Sequence, residues 1–296
     1  MGVEADFSKI PAFQVVQPSE QRSPFIFNSP HSGRFYPPRF LAMSRLDAAT
    51  IRRSEDCYVD ELFAAAASLG APLLVANFPR AYLDVNREPW ELDPSMFREP
   101  VPPYSNIRSP RVAGGLGTVP KLVGEGLNIY PSRLPLAEAL ERIQQIYLPY
   151  HACLADLLAR TRARFGYAIL IDCHSMPTNI RVADGTFRPD FILGDRFGSS
   201  AAPGLIQHAV ALLTTKGYTV AHNRPYAGGF ITEHYGRPAE RLHALQIEIS
   251  RGLYMNERTL ERTVGFQRLA RDLVDFVRDL IDIPEQYFLA PPLAAE

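Results

Sequence analysis

The run Ala168-Ile-Leu-Ile-Asp-Cys-His-Ser-Met-Pro177 decides how this chain is read. Its apolar half has no polar alternation, which is the pattern of a central strand covered on both faces. Met176-Pro177 then breaks it, because proline cannot donate to a sheet ladder. We expect a strand at 167–172 that ends at Asp172, Cys173 and His174. Ligands in open α/β sheets gather beyond the carboxyl ends of strands, so an Asp-x-His in that place suits chemistry. The same residues also suit a buried, hydrogen-bonded histidine. Taken alone, the stretch leaves both readings open.

Four further runs end in polar clusters. Pro24-Phe-Ile-Phe-Asn-Ser-Pro-His-Ser-Gly33 passes from a strand into a turn that carries His31. Pro72–Asn77 leads into Phe78-Pro-Arg-Ala-Tyr-Leu-Asp-Val-Asn-Arg-Glu88, whose Arg80 and Arg87 offer planar forks for a carboxylate. Asp190–Asp195 is a short strand. Tyr218–Phe230 brings His222, Asn223, Arg224 and Tyr226 to one strand end, and Gly228-Gly229 there can take backbone angles other residues avoid. A fifth run, Ala244–Ser250, alternates strictly and places Gln246 and Glu248 opposite Leu245, Ile247 and Ile249.

Helical periodicity spans Leu46–Gly70, Leu134–Arg164 (with a break at Pro149), Ala201–Thr214 and 256–281. Residues 89–134 are rich in proline and predict a long loop-rich excursion. The cluster Gly114–Gly117 matches no dinucleotide or P-loop pattern. His151 falls within a helical stretch and reads as a packing or surface residue, and the 201–214 helix carries His208. Residues 1–23 read as an extended lead-in and 283–296 as a tail. The alternation of strands and helices predicts an α/β fold: one domain over 1–296, three αβα layers, and a mixed, mostly parallel central sheet.

With 31 Lys plus Arg against 32 Asp plus Glu, the net charge of −1 gives no field for nucleic acid or an anionic membrane. A small molecule is the expected partner. No apolar run approaches the roughly 18–20 residues that would span a bilayer. The start, MGVEADFSKIPAF, lacks a basic and then apolar leader. Cys57, Cys153 and Cys173 cannot all pair and show no CxxC spacing, which fits a reducing cytoplasm. The sequence carries no signal of oligomeric state.

The strand ends would gather His31, Asp56 or Glu55, Arg80, Arg87, His174 and Arg224. Two neutral imidazoles and a carboxylate are what a catalytic zinc takes while keeping a position for water. Glu248 would then serve as general base, with arginines holding a substrate carboxylate. Composition and spacing therefore point to a metal-dependent hydrolase of a small anionic amide. The ligands are scattered and form no compact HExxH signature.

Five segments in order, Ser29-Pro-His-Ser-Gly33, Ser54-Glu-Asp-Cys-Tyr-Val-Asp60, Asp172-Cys-His-Ser-Met-Pro177, Pro225-Tyr-Ala-Gly-Gly229 and Gln246-Ile-Glu-Ile-Ser-Arg-Gly-Leu-Tyr254, resemble the N-formylglutamate amidohydrolase family. That family is similar to the zinc carboxypeptidase and aspartoacylase superfamily. The resemblance implies a phosphorylase/hydrolase-like α/β fold and one zinc per chain on His31, His174 and an acid between them. It implies Glu248 as base and proton shuttle. Asp84-Val-Asn-Arg87 resembles the superfamily's Asp-x-Asn-Arg segment, which implies Arg87 on a substrate carboxylate or carbonyl with Asn86 beside it. The superfamily's acid three residues after the first histidine is missing, since that position is Arg34. Asp56 matches the acid of the family's own segment and is preferred to Glu55 as third ligand.

The expected substrate-binding set is Arg80, Asn86, Arg224, Tyr226 and Gly228, with Asp172 and Ser175 orienting ligands and Cys173 as packing. The implied reaction is N-formyl-L-glutamate plus water to formate and L-glutamate, as in histidine breakdown. Hydrolysis of another N-acyl amino acid or a peptide is the alternative, and a small-anion binder using Arg80, Arg87 and Arg224 is a third reading.

Overall fold

The computed structural model describes residues 3, 7–180 and 188–289. Among these residues the seven strands are β1 (Phe13–Val16), β2 (Phe25–Ser29), β3 (Leu73–Ala76), β4 (Ala168–Met176), β5 (Phe191–Gly194), β6 (Val220–His222) and β7 (Leu242–Ser250). They form one mixed sheet in the order β1-β3-β2-β4-β7-β5-β6, with helices around it. β2 runs parallel to β4, β4 parallel to β7 and β5 parallel to β6, while β5 is antiparallel to β7. The predicted α/β class and mostly parallel sheet are therefore observed.

The opening stretch continues two pairs of residues beyond the expected stop. β4 stays in register with β7 from Ala168–Leu242 to Met176–Ser250, and its whole length is buried. Hydrophobicity fades after Ile171, yet the ladder persists because the polar side chains of Asp172 and His174 find partners inside. His174 thus sits within a strand and not past its end. β1 lies inside the predicted lead-in, where its alternating half-buried pattern carries little hydrophobic signal. Residues 1, 2 and 4–6 of the lead-in and 290–296 of the tail lie outside the described residues; Gln286–Leu289 of the tail is a short helix.

The chain divides into two compact units. One comprises Met1–Val15, Ser29–Tyr58 and Leu74–Asp156. It contains the excursion at 89–134, where the helical pieces are a turn at Pro94–Met96 and a helix at Pro110–Ala113. Within this unit Arg142 is fully buried, donates to the Tyr82 carbonyl (3.0 Å) and the Tyr130 hydroxyl (2.9 Å) and lies 4.0 Å over the Tyr82 ring. The periodic stretch at 134–164 forms helices at Leu136–Arg142 and Leu148–Phe165, joined by a π turn at Ile143–Tyr147. The irregularity falls just before Pro149, whose missing N–H removes a helical donor.

The other unit comprises Val16–Asn28, Val59–Leu73 and Leu157–Glu296. Its helix Gly265–Ile281 buries Phe266, Leu269, Leu273, Phe276, Val277 and Leu280 along one stripe. That helix begins nine residues later than its periodicity suggested, because 251–263 are occupied by a 3₁₀ turn and a Met255–Arg262 bridge.

The helix expected at 46–70 is broken into a 3₁₀ turn at Thr50–Ser54 and short helices at Val59–Leu62 and Ala65–Ser68. Glu55 is extended (φ −71°, ψ 134°) and Tyr58 has φ +67°. The Asp56 N–H leaves any helical ladder to donate to the His31 carbonyl at 2.9 Å. A non-local backbone bond has overridden helical propensity at the acidic segment.

Candidate metal centre and active site

His31 follows β2 in the turn Ser29–Gly33. The turn folds tightly against residue 78: a Cβ on Gly33 would fall 1.9 Å from the Phe78 carbonyl oxygen, so only glycine fits. The Ser29 and Ser32 hydroxyls bond each other across it at 2.8 Å. One nitrogen of the His31 ring is hydrogen-bonded to a carboxylate and the other faces a second carboxylate. Nε2 meets Asp84 Oδ1 at 2.8 Å, and Nδ1 faces Asp56 Oδ2 at 3.5 Å.

The neighbouring acid is engaged elsewhere. Glu55 receives a bidentate pair from Arg52 (2.9 Å each) and a bond from the Tyr36 hydroxyl (3.2 Å). Burial and the Glu55 carboxylate push the Tyr36 hydroxyl well above its usual pKa. Of the two candidate acids, Asp56 is the one beside His31.

Asp84 binds more than His31. It accepts from Arg80 Nε (3.0 Å) and from the Asn86 N–H (2.9 Å), and it lies 3.3 Å from Arg87 Nη2. Burial alone would raise its pKa, but Arg87, Arg80 and His31 hold the carboxyl well below the usual range, so it is ionised. Arg87 is buried. Its Nε donates to the Leu116 carbonyl (2.8 Å) and its Nη1 to the Asn86 carbonyl (2.7 Å); burial brings its pKa down to about 10. Two side chains hold this segment by its backbone: the Tyr147 hydroxyl donates to the Arg87 carbonyl (2.6 Å), and His151 Nε2 meets the Val85 carbonyl (2.9 Å). His151, expected as packing, thus also bonds the backbone between Asp84 and Arg87.

On the sheet, β4 and β7 place four polar side chains in register, Asp172 beside Gln246 and His174 beside Glu248. Residues two apart on a strand share a face, so these four form one block. His174 Nε2 bonds Asp172 Oδ2 at 2.9 Å, and Asn28, in register with Asp172 on β2, donates to Asp172 Oδ1 at 2.8 Å. Glu248 Oε1 accepts from Gln246 Nε2 at 2.9 Å. Arg251 Nε donates to the Ser175 hydroxyl at 3.0 Å. Cys173 is fully buried and burial pushes its thiol pKa well up, as expected for packing.

His31, Asp56 and His174 are all buried, and each offers a ligand atom within 4.8 Å of the others'. The donor set fits a metal. Each imidazole commits one nitrogen to a buried carboxylate, Asp84 or Asp172, which fixes the ring and leaves the other nitrogen as donor, as in carboxylate–histidine–metal arrangements.

The remaining expected residues lie along the loop after β6. Arg224 is exposed and lines a groove with Phe197, Ile206, Val210 and His222; that lining includes neither His174 nor Glu248. Tyr226 is half-buried. Gly228 has φ +118° and is buried, and Gly229 donates its N–H to Gln246 Oε1 at 2.7 Å. The sequence reading missed Asn28, Gln246 and the role of Asp84 behind His31. Gln246 was visible as the residue two before Glu248 on an alternating strand; the Asp84–His31 pair spans 53 residues and left no local pattern.

A family model described as N-formylglutamate amidohydrolase matches residues 23–255. A Pseudomonas aeruginosa protein named N-formylglutamate deformylase is 33% identical over 240 residues, which cover 80% of this chain and 84% of that one. A Pseudomonas putida protein of the same name is 32% identical over 243 residues, covering 80% and 83%. Among solved structures, an N-formylglutamate amidohydrolase from Ralstonia eutropha JMP134 superposes with a TM-score of 0.86 at 38% identity, over 92% of this chain and 97% of that one. A gene product of Agrobacterium tumefaciens, 18% identical with a TM-score of 0.65 over 91% and 94%, shares the fold.

Proposed function

The chain belongs to the N-formylglutamate amidohydrolase family and is an amidohydrolase, and from that premise we propose that it hydrolyses N-formyl-L-glutamate to formate and L-glutamate with one zinc ion held by His31, Asp56 and His174. The observation that carries the metal is the buried His–Asp–His group, with a carboxylate behind each imidazole. When bound, zinc supplies Lewis acidity, lowering the pKa of water and polarising the formyl carbonyl.

The protein's own groups do the rest. Glu248 takes a proton from the attacking water and delivers it to the departing amino nitrogen as the formyl C–N bond breaks. Asp84 and Asp172 keep His31 and His174 in the tautomers that leave one nitrogen as donor. Arg87 and Arg80, with Asn86, hold the substrate's carboxylates; their anchoring on Asp84 fixes the guanidinium planes in advance. Arg224, Tyr226 and Gly228 complete the substrate-binding set. Residues 1–296 act as one catalytic domain, a reading supported by a family match that draws on both compact units.

We place the reaction in histidine breakdown and in the cytoplasm. The three cysteines are free, and among the described residues no helix is long and apolar enough to cross a membrane. The mechanism is tested by Glu248→Gln, which should keep stoichiometric zinc while kcat for formate release falls by about 10²–10⁴. Wild-type turnover by that variant overturns Glu248 as base.

A further inference from the structure

We propose that Gln246 is the positioning residue for Glu248, fixing the carboxylate that receives the water proton; the inference rests on the reading of Glu248 as general base. The orientation of the Gln246 amide is settled by its partners. Gln and Asn amides can be placed either way round from shape alone, so a backbone group is needed to decide. Here the Gly229 N–H can only donate, and it meets Gln246 Oε1 at 2.7 Å. Gln246 Nε2 therefore faces the other way, as donor to Glu248 Oε1 at 2.9 Å. Gln246 has 5% of its surface exposed and Glu248 8%, so water competes little for either bond.

The sheet explains why the bond is well aimed. Asp172 and Gln246 are adjacent in the β4–β7 register, as are His174 and Glu248. Each strand repeats one device, a residue two positions earlier bonding the residue that does the work: Asp172 to His174, Gln246 to Glu248. Asn28 continues the supporting row on β2 by donating to Asp172. The supporting residue differs with the group it serves. An imidazole that must give up a lone pair is backed by a carboxylate acceptor, and a carboxylate that must accept a proton is backed by an amide donor.

A free Glu side chain has several rotamers of similar energy. The Gln246 bond selects one of them, and the Gly229 bond keeps Gln246 from turning over. The chain of bonds also ties Glu248 to the Gly228-Gly229 turn, whose φ of +118° at Gly228 requires glycine.

Two variants test this with N-formyl-L-glutamate as probe. Gln246→Glu keeps an acceptor for the Gly229 N–H and removes the amide donor to Glu248. Gln246→Leu removes both. We expect each to lower kcat at least about 10-fold, consistent with about 1.4 kcal/mol of lost orientation, with KM within about threefold and stoichiometric metal retained. A merely structural role predicts the opposite split, unchanged kcat in whatever fraction of protein stays folded. Gln246→Glu with wild-type kcat overturns the proposal. A crystal structure of Gln246→Leu gives a readout independent of turnover: the Glu248 carboxylate should leave its present rotamer, and a carboxylate that stays in place also overturns it. Glu248→Gln assayed in parallel separates the two claims. If it turns over normally, the base assignment has failed; if it is slow while Gln246→Glu is normal, only the positioning role has failed.

Discussion

Glu55 and Asp56 are adjacent carboxylates with different surroundings. Glu55 is forked onto Arg52 and bonded by Tyr36, while Asp56 lies 3.5 Å from His31 and returns its N–H to the His31 carbonyl. Asp56→Ala should therefore purify without stoichiometric zinc, whereas Glu55→Gln should keep the metal and lose about 1 kcal/mol of stability, the discount reflecting a half-exposed Arg52. Metal analysis beside thermal melts decides it; a zinc-free Glu55→Gln protein contradicts the assignment. The carboxylates behind the imidazoles act at one remove. Asp172→Asn should weaken zinc affinity by about 10–100-fold while His174 remains, and unchanged affinity by chelator competition would count against it. The sequence offered His31, His174 and Glu248 through their positions near strand ends or on an alternating strand; local spacing treats Glu55 and Asp56 alike, so the preference for Asp56 came from the family resemblance, and the fold adds its place beside His31.

At the scale of elements, apolar runs made β2, β3, β4 and β5 legible, since strands buried on both faces advertise themselves, and strict alternation marked β7. Elements whose course is set by distant bonds were not. The stretch 46–70 has helical periodicity and is broken where Asp56 turns to His31, and β1 is too short and half-exposed to stand out. The π turn at Ile143–Tyr147 is similarly invisible in the pattern, and Tyr147 at its end bonds the Arg87 carbonyl. Tyr147→Phe should raise KM by roughly 3–10-fold, about 1 kcal/mol of lost anchoring, with kcat little changed; unaltered KM argues against a substrate-holding role for Arg87. At the opening of β7, His243 is buried, its Nδ1 accepts from the Ala202 N–H, and burial takes its pKa down to about 4. The unfolded histidine near 6.5 binds its proton first, so the stability this site contributes is present above pH 6.5 and lost as pH falls toward 4. Its ceiling is on the order of 3 kcal/mol. His243→Gln should flatten the stability profile between those pH values, and an unchanged slope in denaturant titrations refutes the assignment.

Over the whole molecule, a net charge of −1 leaves recognition of an anionic substrate to local groups, and Arg80, Arg87 and Arg224 are the candidates. Class and reaction type were legible because the five family segments are spread through the sequence; the partners behind His31 were not, because they come from residues far apart in it. Of the three arginines only Arg87 is buried, and a buried guanidinium that loses its substrate partner penalises a substrate without the matching carboxylate. In a panel of formyl and acyl amino acids, N-formyl-L-glutamate should therefore have the highest kcat/KM. The central claim, a metal-dependent deformylase, is tested most directly by measuring formate release from N-formyl-L-glutamate before chelation, after complete metal removal verified by elemental analysis, and after zinc is returned. We predict activity lost with the metal and restored by one zinc per chain; full activity in the metal-free protein would contradict the account.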